Sequence, residues 1–225
     1  MTSVLWFRRD LRLGDHPALT AAAADGDVVA LFVVDPRIWD TGGPARRAWI
    51  SAGVRALDEA TGGALVVRLG DPAAVVTDVA RRVGADVVHV SAETTPYGRR
   101  RDARVAAALA EHGIVGRPTG TPYAVDPGTI RTQQGGPYQV FTPFSKAWFA
   151  HGHADPLPRP TPSWADALCD ADAITLLQDA LQHAPAGMPE AGEDAALRRW
   201  REFLDADVAD YDEARDLPAA DRTSR

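Results

Sequence analysis

Short apolar runs rich in β-branched residues recur through the first half of the chain and predict buried strands. The runs cover residues 4–7, 28–34, 65–67, 87–90 and 114–115. They are apolar at nearly every position, which is typical of strands covered on both faces. Segments with helical spacing of apolar residues separate them, at 50–57, 75–83 and 99–112. This alternation predicts an α/β fold: a Rossmann-like five-stranded parallel sheet with helices on both faces.

The pattern changes in the last third of the chain. Prolines stand at positions 156, 158, 160 and 162, which excludes a helix interior or a central strand there. We therefore expect an α/β domain over residues 1–130, an interdomain loop or linker over 131–190, and the start of an incomplete helical domain over 191–225.

An amphipathic helix is predicted within that last segment. Apolar residues recur there at intervals of three and four, at Leu197, Trp200, Leu204, Val208 and Tyr211. Such a stripe needs a partner surface to cover it. The helical unit that it opens is therefore expected to be unfinished, and residues 190–225 to be partly mobile while residues 1–130 fold.

Composition excludes several classes of protein. Hydrophobic residues make up 45% and charged residues 24%, which is ordinary for a globular domain. No apolar run reaches the about 18 residues of a spanning helix, and the N-terminus lacks a signal-peptide core. We expect a cytoplasmic protein without a membrane partner. The lone Cys169 excludes an internal disulfide.

The negative charge is concentrated in the last third. Residues 1–150 hold 17 Lys and Arg against 15 Asp and Glu, whereas residues 151–225 hold 7 against 16. An acidic segment repels the phosphate backbone, so residues 151–225 are not by themselves a nucleic-acid-binding surface.

The loop after the first predicted strand is dense in charge. Three arginines and two aspartates lie within residues 8–15, and doubly wound sheets bind ligands at this end of their strands. Two interpretations are open: arginines that grip an anionic ligand, or a salt-bridged loop that ties the first helix to the sheet. No Gly-x-Gly-x-x-Gly or Gly-Lys-Ser/Thr follows any strand, so the usual signals for NAD or a nucleoside triphosphate are missing.

Other polar positions carry weaker signals. The arginines at 99–101 are interpreted as a solvated helix face, and His89, inside an apolar strand, as a core histidine whose polar atoms are satisfied. His151 and His153 lie in a polar segment without a third ligand, so no metal site is expected. Neither a nucleophile elbow nor a carboxylate pair supports hydrolysis. Residues 135–148 predict a long loop that packs aromatic rings over the sheet edge.

Four segments together resemble the DNA photolyase/cryptochrome family. They are LWFRRDLR at 5–12 with Asp15, PYGRRRD at 96–102, PYQVFTPFSKAW at 137–148, and the segment from Trp200 through Tyr211 to the terminal Thr-Ser-Arg. All four occur in the family's order, and the likeness is strongest to bacterial class I cyclobutane pyrimidine dimer photolyases. In that family an N-terminal α/β domain carries a light-harvesting antenna chromophore, and a helical C-terminal domain holds FAD and the DNA lesion.

The resemblance implies that the chain is an antenna domain plus the first helices of an FAD domain. Tyr211, Thr223 and Ser224 match the family's first FAD contacts, while the rest of the FAD pocket and the lesion cavity would lie past Arg225. We expect light-driven repair of pyrimidine dimers from the complete, monomeric protein, contact with damaged DNA only through its C-terminal half, and no repair by these 225 residues alone.

The resemblance also bears on the antenna. Family members carry either methenyltetrahydrofolate or 8-hydroxy-5-deazaflavin, and folate binders place an Asn-Glu pair where this chain has Tyr97 and Gly98. Members of the deazaflavin type resemble this chain at Arg9, Asp35, Arg46 and Glu93. The resemblance therefore favours a deazaflavin held by those four residues.

Three other functions remain open on the sequence. A cryptochrome-like photoreceptor shares the fold and the cofactors but signals instead of repairing DNA. A stand-alone α/β module for a small anionic molecule explains the arginines, although its apolar stripe would be left uncovered. A truncation product without function is the third. Whether these 225 residues are themselves an enzyme stays undecided at this point.

Overall fold

A computed structural model describes residues 1–217 of the chain. Five strands form one parallel sheet in the order β3-β2-β1-β4-β5. They are β1 (Thr2–Phe7), β2 (Asp27–Val34), β3 (Leu65–Leu69), β4 (Val87–Val90) and β5 (Val115–Pro118). The predicted Rossmann-like parallel sheet is confirmed, and the weakest of the predicted strands, the fifth, is an edge strand.

The helices of the first half begin in a common way. The structure describes α1 (Pro17–Asp25), α2 (Pro36–Trp39), α3 (Pro44–Ala60), α4 (Pro72–Arg82), α5 (Pro96–Ala110), α6 (Phe141–His151), α7 (Ala171–Gln182), α8 (Glu193–Glu202) and α9 (Tyr211–Ala214). Each of α1 to α5 starts on proline, whose fixed φ suits the first helical position. Asp35, Asp71 and Thr95 cap α2, α4 and α5 with their side chains. The turns that follow β2, β3 and β4 are thus fixed by local hydrogen bonds.

Alternate strand residues face opposite helix layers. Leu5 and Phe7 pack with α1, α3 and α7 on one face. Val4 and Trp6 belong to the other layer, with α4 and α5. Because successive side chains of a strand point to opposite faces, a sheet covered on both faces needs apolar residues at every position. The predicted helices on both faces are confirmed.

The segment predicted as a linker, residues 131–190, contains two helices that the apolar pattern did not reveal. In α7, Ala173 and Leu177 are buried in the layer that holds α3. Just before α7, the Asp170 N–H donates to the Val67 carbonyl (2.9 Å) and the Asp170 carboxylate accepts from the Leu69 N–H (2.9 Å). Part of this segment therefore covers the β3 edge, which would otherwise be open to pairing.

The aromatic segment differs from its prediction as a loop over the sheet edge. Residues 141–151 form the helix α6, in which Phe141 and Phe149 are 77% and 76% exposed. Pro143 lies in the first turn of α6, where a missing N–H breaks no helical hydrogen bond. The prediction of a loop was wrong because a proline in the first turn of a helix is compatible with that helix.

The predicted amphipathic helix is interrupted. After α8 the chain passes through a π-helical turn (Phe203–Asp207) and a short 3-10 turn (Val208–Asp210) into α9. The stripe that starts at Leu197 and ends at Tyr211 remains 43% to 48% exposed at all five positions. No helix within residues 1–217 is long and apolar enough to cross a membrane.

His89 is fully buried in β4, as predicted for a core histidine, but only one ring nitrogen has a partner. Its Nε2 lies 2.9 Å from Asp25 Oδ2, and its Nδ1 bonds to no described residue. Burial lowers the pKa of His89, against the effect of the Asp25 carboxylate. The prediction that both polar atoms are satisfied was wrong.

Candidate functional site

A cavity of about 1270 Å³ lies at the carboxyl ends of β1, β2 and β4. The strand order reverses around β1, so the loops that follow β1 and β4 diverge to opposite sides of the sheet. Such a switch point is where doubly wound sheets bind ligands. Four of the predicted binding residues line the cavity together, namely Arg9, Asp35, Arg46 and Glu93.

A buried carboxylate fixes the loop after β1. Asp10 is 5% exposed and accepts hydrogen bonds from the Arg8 N–H (2.9 Å) and the Ser91 hydroxyl. Its Oδ2 also lies 3.2 Å from Nε2 of His16, whose Nδ1 caps α1 by accepting the Leu19 N–H. Burial alone would raise the pKa of Asp10, but His16 and Ser91 hold it well below its ordinary value. Asp10 therefore stays ionised and joins β1, β4 and α1.

Arg8 is committed to structure rather than to a ligand. Its Nη1 donates to both carboxylate oxygens of Asp102 (2.6 and 2.8 Å), and its Nη2 donates to the Ser91 carbonyl. Arg101 bonds the same Asp102 carboxylate, and both guanidinium carbons lie 5.0 Å from the centre of the Trp6 ring. For Arg8 the structure thus favours the second interpretation, a salt-bridged loop.

Arg9 and Glu93 meet across the switch point. Arg9 Nη2 lies 3.2 Å from Glu93 Oε1 and 3.0 Å from the Tyr123 hydroxyl, with its side chain 48% exposed. Glu93 Oε1 also accepts the N–H groups of Thr94 and Thr95 before α5. Burial acts to raise the pKa of Glu93, but those N–H groups and the nearby arginines lower it overall. The rim of the cavity therefore carries a fixed anion with a half-exposed cation beside it.

Asp35 and Tyr97 form a second polar pair on the wall. The Tyr97 hydroxyl donates to Asp35 Oδ2 at 2.6 Å, while Asp35 Oδ1 accepts the Arg37 N–H. Burial, together with the hydrogen bond to Asp35, raises the pKa of Tyr97. Tyr97 thus holds Asp35, a predicted binding residue, in place.

Arg46 has a free guanidinium. It lines the cavity near the start of α3, is exposed, and makes no hydrogen bond or ion pair with residues 1–217. Its neighbour Arg47 instead donates to the carbonyls of Trp39 (3.0 Å) and Asp40 (3.1 Å). Arg47 is therefore held by backbone carbonyls, whereas the Arg46 guanidinium remains available to an anionic ligand.

Gly98 is required by the position of Glu93. A Cβ at Gly98 would lie 1.8 Å from Glu93 Cγ and 2.6 Å from its Cδ. The Glu93 side chain therefore occupies the place in which any larger residue at position 98 would begin. A glutamate at position 98, as in folate-binding members of the family, cannot coexist with this conformation of Glu93.

Aromatic rings give the cavity its apolar surface. Those that line it are Trp6, Phe32, Trp39, Trp49, Tyr97 and Trp200. Aromatic walls and a few placed charges suit a flat, partly anionic ring system. Within residues 1–217 no group of His, Cys, Asp or Glu is arranged to hold a metal ion.

Tyr211, the one predicted FAD residue that the structure describes, lies outside the cavity. Its ring packs edge-on against that of the buried Phe203, with ring centres 5.8 Å apart. Thr223 and Ser224 lie outside the described residues. The structure brings together the four predicted antenna residues and leaves Tyr211 apart from them.

Three lining residues were missed. Arg101 was interpreted as part of a solvated face but is 9% exposed, and its spacing from Gly98, Val105 and Leu109 was a helical signal for the buried side. Glu193 and Trp200 come from α8, far along the chain. No local pattern could have placed them beside β1, because that approach is decided by tertiary packing.

The fold and the cavity together define an α/β domain with an aromatic-lined cavity at its switch point. The family model described as DNA photolyase matches residues 3–163, well over half of the chain. A deoxyribodipyrimidine photo-lyase of Thermus thermophilus is 41% identical over 216 residues, covering 95% of this chain and 47% of that protein. The chain belongs to the DNA photolyase family, and it spans about half the length of the photo-lyases it matches.

Solved structures agree with this assignment. A class III photolyase from Agrobacterium tumefaciens is 28% identical, with a TM-score of 0.82 over 99% of this chain and 48% of that protein. An archaeal photolyase from Sulfolobus tokodaii, which contains two FAD molecules, superposes over 100% of this chain and 50% of its own with a TM-score of 0.81. At 22% identity, the Sulfolobus protein supports the fold alone.

Proposed function

We propose that residues 1–130 form the antenna domain of a photolyase and that the chain binds a light-harvesting chromophore in the cavity at the ends of β1, β2 and β4. The observation that carries this proposal is the convergence of Arg9, Asp35, Arg46 and Glu93 on one aromatic-lined cavity. These residues come from three different strand-to-helix connections and from the start of α3. In family members of the deazaflavin type, matching positions hold the antenna.

The chromophore that fits best is 8-hydroxy-5-deazaflavin rather than methenyltetrahydrofolate. A flat tricyclic ring suits the aromatic walls, and Arg46 offers an unpaired cation to its polar edge. The carboxylate used by folate-type members has no room at Gly98, because Glu93 lies there. When bound, the chromophore supplies light absorption, while the residues of this chain orient it and exclude water.

The test is a fluorescence titration of the purified chain with 8-hydroxy-5-deazariboflavin, methenyltetrahydrofolate and FAD. FAD is included because the Sulfolobus photolyase holds two such molecules. We expect saturable one-to-one binding of the deazaflavin and weaker binding of the other two. Tighter binding of the folate or of FAD would overturn the choice of chromophore, and no binding of any of the three would overturn the antenna site.

Gly98→Ala tests the site through Glu93, and Gly116→Ala is its matched control. The added Cβ has no room while Glu93 keeps its conformation, so it should displace Glu93 from the rim. We expect Gly98→Ala and Glu93→Gln to lower the affinity for the deazaflavin to a similar extent. Gly116→Ala on the β5 edge, where the nearest atom would be 3.5 Å from the new Cβ, should leave binding unchanged.

For the complete protein we propose light-driven repair of cyclobutane pyrimidine dimers. Support comes from the 41% identity to a protein named as a photo-lyase and from the four segments that resemble the family. FAD and damaged DNA would be bound by a helical half, of which residues 191–225 are the proposed beginning. Residues 1–130 and 131–190 are the proposed antenna domain and its connection, with α7 returning to the sheet.

A further inference from the structure

The first residue of α8 is bonded to the loop after β1. Oε2 of Glu193 accepts the Leu13 N–H at 2.8 Å, and Oε1 accepts the Gly14 N–H at 2.9 Å. One carboxylate therefore uses both oxygens on two consecutive backbone groups, which are about 180 residues away along the chain. Hydrogen bonds to an ionised acceptor are stronger than neutral ones.

The contact is shaped for this carboxylate. A Cβ at Gly14 would lie 2.5 Å from Glu193 Oε1, so glycine is needed for the close approach. Leu13 is buried at 3% exposure and belongs to the core layer of β1. The carboxylate is thus attached to a rigid part of the α/β domain.

The two sides that Glu193 joins both line the antenna cavity. The loop contributes Arg9 and Arg12, and the next turns of α8 contribute Leu197 and Trp200. Leu197 and Trp200 are 43% and 48% exposed, so apolar packing alone holds this wall weakly. The hydrogen bonds of Glu193 are accordingly a large part of what keeps α8 against the loop.

We propose that Glu193 is a positioning residue that clamps α8 to the β1–α1 loop and so holds one wall of the antenna cavity in place. Its predicted effect on ligand binding rests on the proposed antenna function. Its effect on the order of the loop and of α8 does not, and the two effects are measured separately.

The first experiment is hydrogen–deuterium exchange on Glu193→Ala without ligand. We expect the amides of Leu13 and Gly14, together with residues 196–200, to exchange about tenfold faster or more, because about 1.4 kcal/mol of protection is lost. Amides of β1 and β2 should be unchanged. The control is Asp194→Ala, which removes a charge from the same helical turn but no hydrogen bond to residues 1–217. Unchanged exchange at Leu13 and Gly14 in Glu193→Ala would overturn the clamp.

A double-variant cycle separates the clamp from general destabilisation. The Cβ added by Gly14→Ala should push the Glu193 carboxylate away from the loop. Alone, this variant should therefore speed amide exchange as Glu193→Ala does. The double variant should exchange the amides at positions 13 and 14 no faster than Glu193→Ala does, because without the Glu193 carboxylate the new Cβ meets no clash. Glu193→Gln keeps one acceptor oxygen and should restore protection at one of the two amides. Additive effects in the double variant, or no rescue by glutamine, would contradict the proposal.

The ligand readout is the affinity for 8-hydroxy-5-deazariboflavin. We expect Glu193→Ala to weaken it by about tenfold and Asp194→Ala to change it less than about twofold. Faster exchange with unchanged affinity would show that the clamp does not hold the cavity wall. If the unaltered chain binds no deazaflavin, the antenna proposal fails, and the exchange experiments still decide the clamp.

Discussion

Individual side chains explain why the charged loop after β1 is ordered. Of its three arginines, Arg8 and Arg12 are used by partners within the chain, Arg12 by the carbonyls of Gly14 (3.1 Å) and Asp15 (2.7 Å). Only Arg9 keeps an exposed guanidinium at the cavity rim. The structural interpretation of this loop therefore applies to Arg8 and Arg12, whereas for Arg9 contact with a ligand remains a proposal.

Asp10→Asn should destabilise the domain by about 1–3 kcal/mol near neutral pH, because the buried network loses its charge. The folded-state pKa of Asp10 is lowered, so its contribution is present above the unfolded value of about 4 and is lost as pH falls below that value. The stability gap between the unaltered chain and the variant should thus narrow on acidification. Urea denaturation between pH 7 and pH 3 measures it, and a gap that widens in acid would contradict the assignment.

Arg46→Ala should leave stability within about 0.5 kcal/mol, since the side chain has no partner among residues 1–217. Affinity for 8-hydroxy-5-deazariboflavin should fall by about tenfold, the loss of roughly one charged hydrogen bond. Arg55→Ala, on the same helix but outside the cavity, is the control. Equal losses in both variants would show that Arg46 acts only through net charge.

Whole helices differ in how far the apolar pattern revealed them. The pattern predicted α3, α4 and α5, whose buried residues repeat at helical spacing, but missed α7 after the proline-rich segment. α7 follows a proline-rich segment, and its burial against α3 depends on the chain turning back to the β3 edge. That return is a tertiary event with no local signal.

Leu177→Ala in α7 should lower the free energy of unfolding by about 2–4 kcal/mol, the range for truncating a buried leucine side chain. A flexible linker would tolerate this change. Gln178→Ala, one residue further and exposed, is the matched control and should be neutral. Thermal or urea unfolding measures both, and a neutral Leu177→Ala would show that α7 does not belong to the core.

The helical segment from α8 to α9 should be less protected from amide hydrogen exchange than the sheet. Within residues 195–214 few side chains are buried, among them Phe203 and Ala214, whereas β1 and β2 lie in the centre of the sheet. We expect amide exchange there to be faster than in β1 by about a hundredfold or more, corresponding to roughly 3 kcal/mol. Uniform protection across both regions would contradict the expectation of a partly mobile segment.

For the molecule as a whole, the proposed antenna cavity lies within the described residues, while the proposed repair chemistry does not. This chain covers 47% of the Thermus photo-lyase. We expect no repair of pyrimidine dimers under blue light by this chain alone, and repair once the remaining half of the Thermus protein is supplied. Dimer loss measured by absorbance reports both. Repair by the chain alone would overturn the proposal that the other half of the protein binds FAD and the damaged DNA. Class I membership, a monomeric state and a cytoplasmic location remain predictions.

The sequence by itself determined the sheet and its helix layers, and the resemblance to the family supplied the four residues of the antenna proposal. Continuous apolar runs indicate strands that are buried on both faces. Proline and capping residues fix where α1 to α5 begin. The strand-end positions of Arg9, Asp35 and Glu93 follow from the topology of any doubly wound sheet.

Tertiary structure decided what those residues meet. Whether an arginine pairs with Asp102 or stays free at the cavity depends on the distance between loops far apart along the chain. The close fit of Glu93 over Gly98, and of Glu193 against Gly14, likewise depends on backbone separations of a few ångströms. Periodicity carries the direction in which a side chain points, but only the packed fold sets which partner lies there.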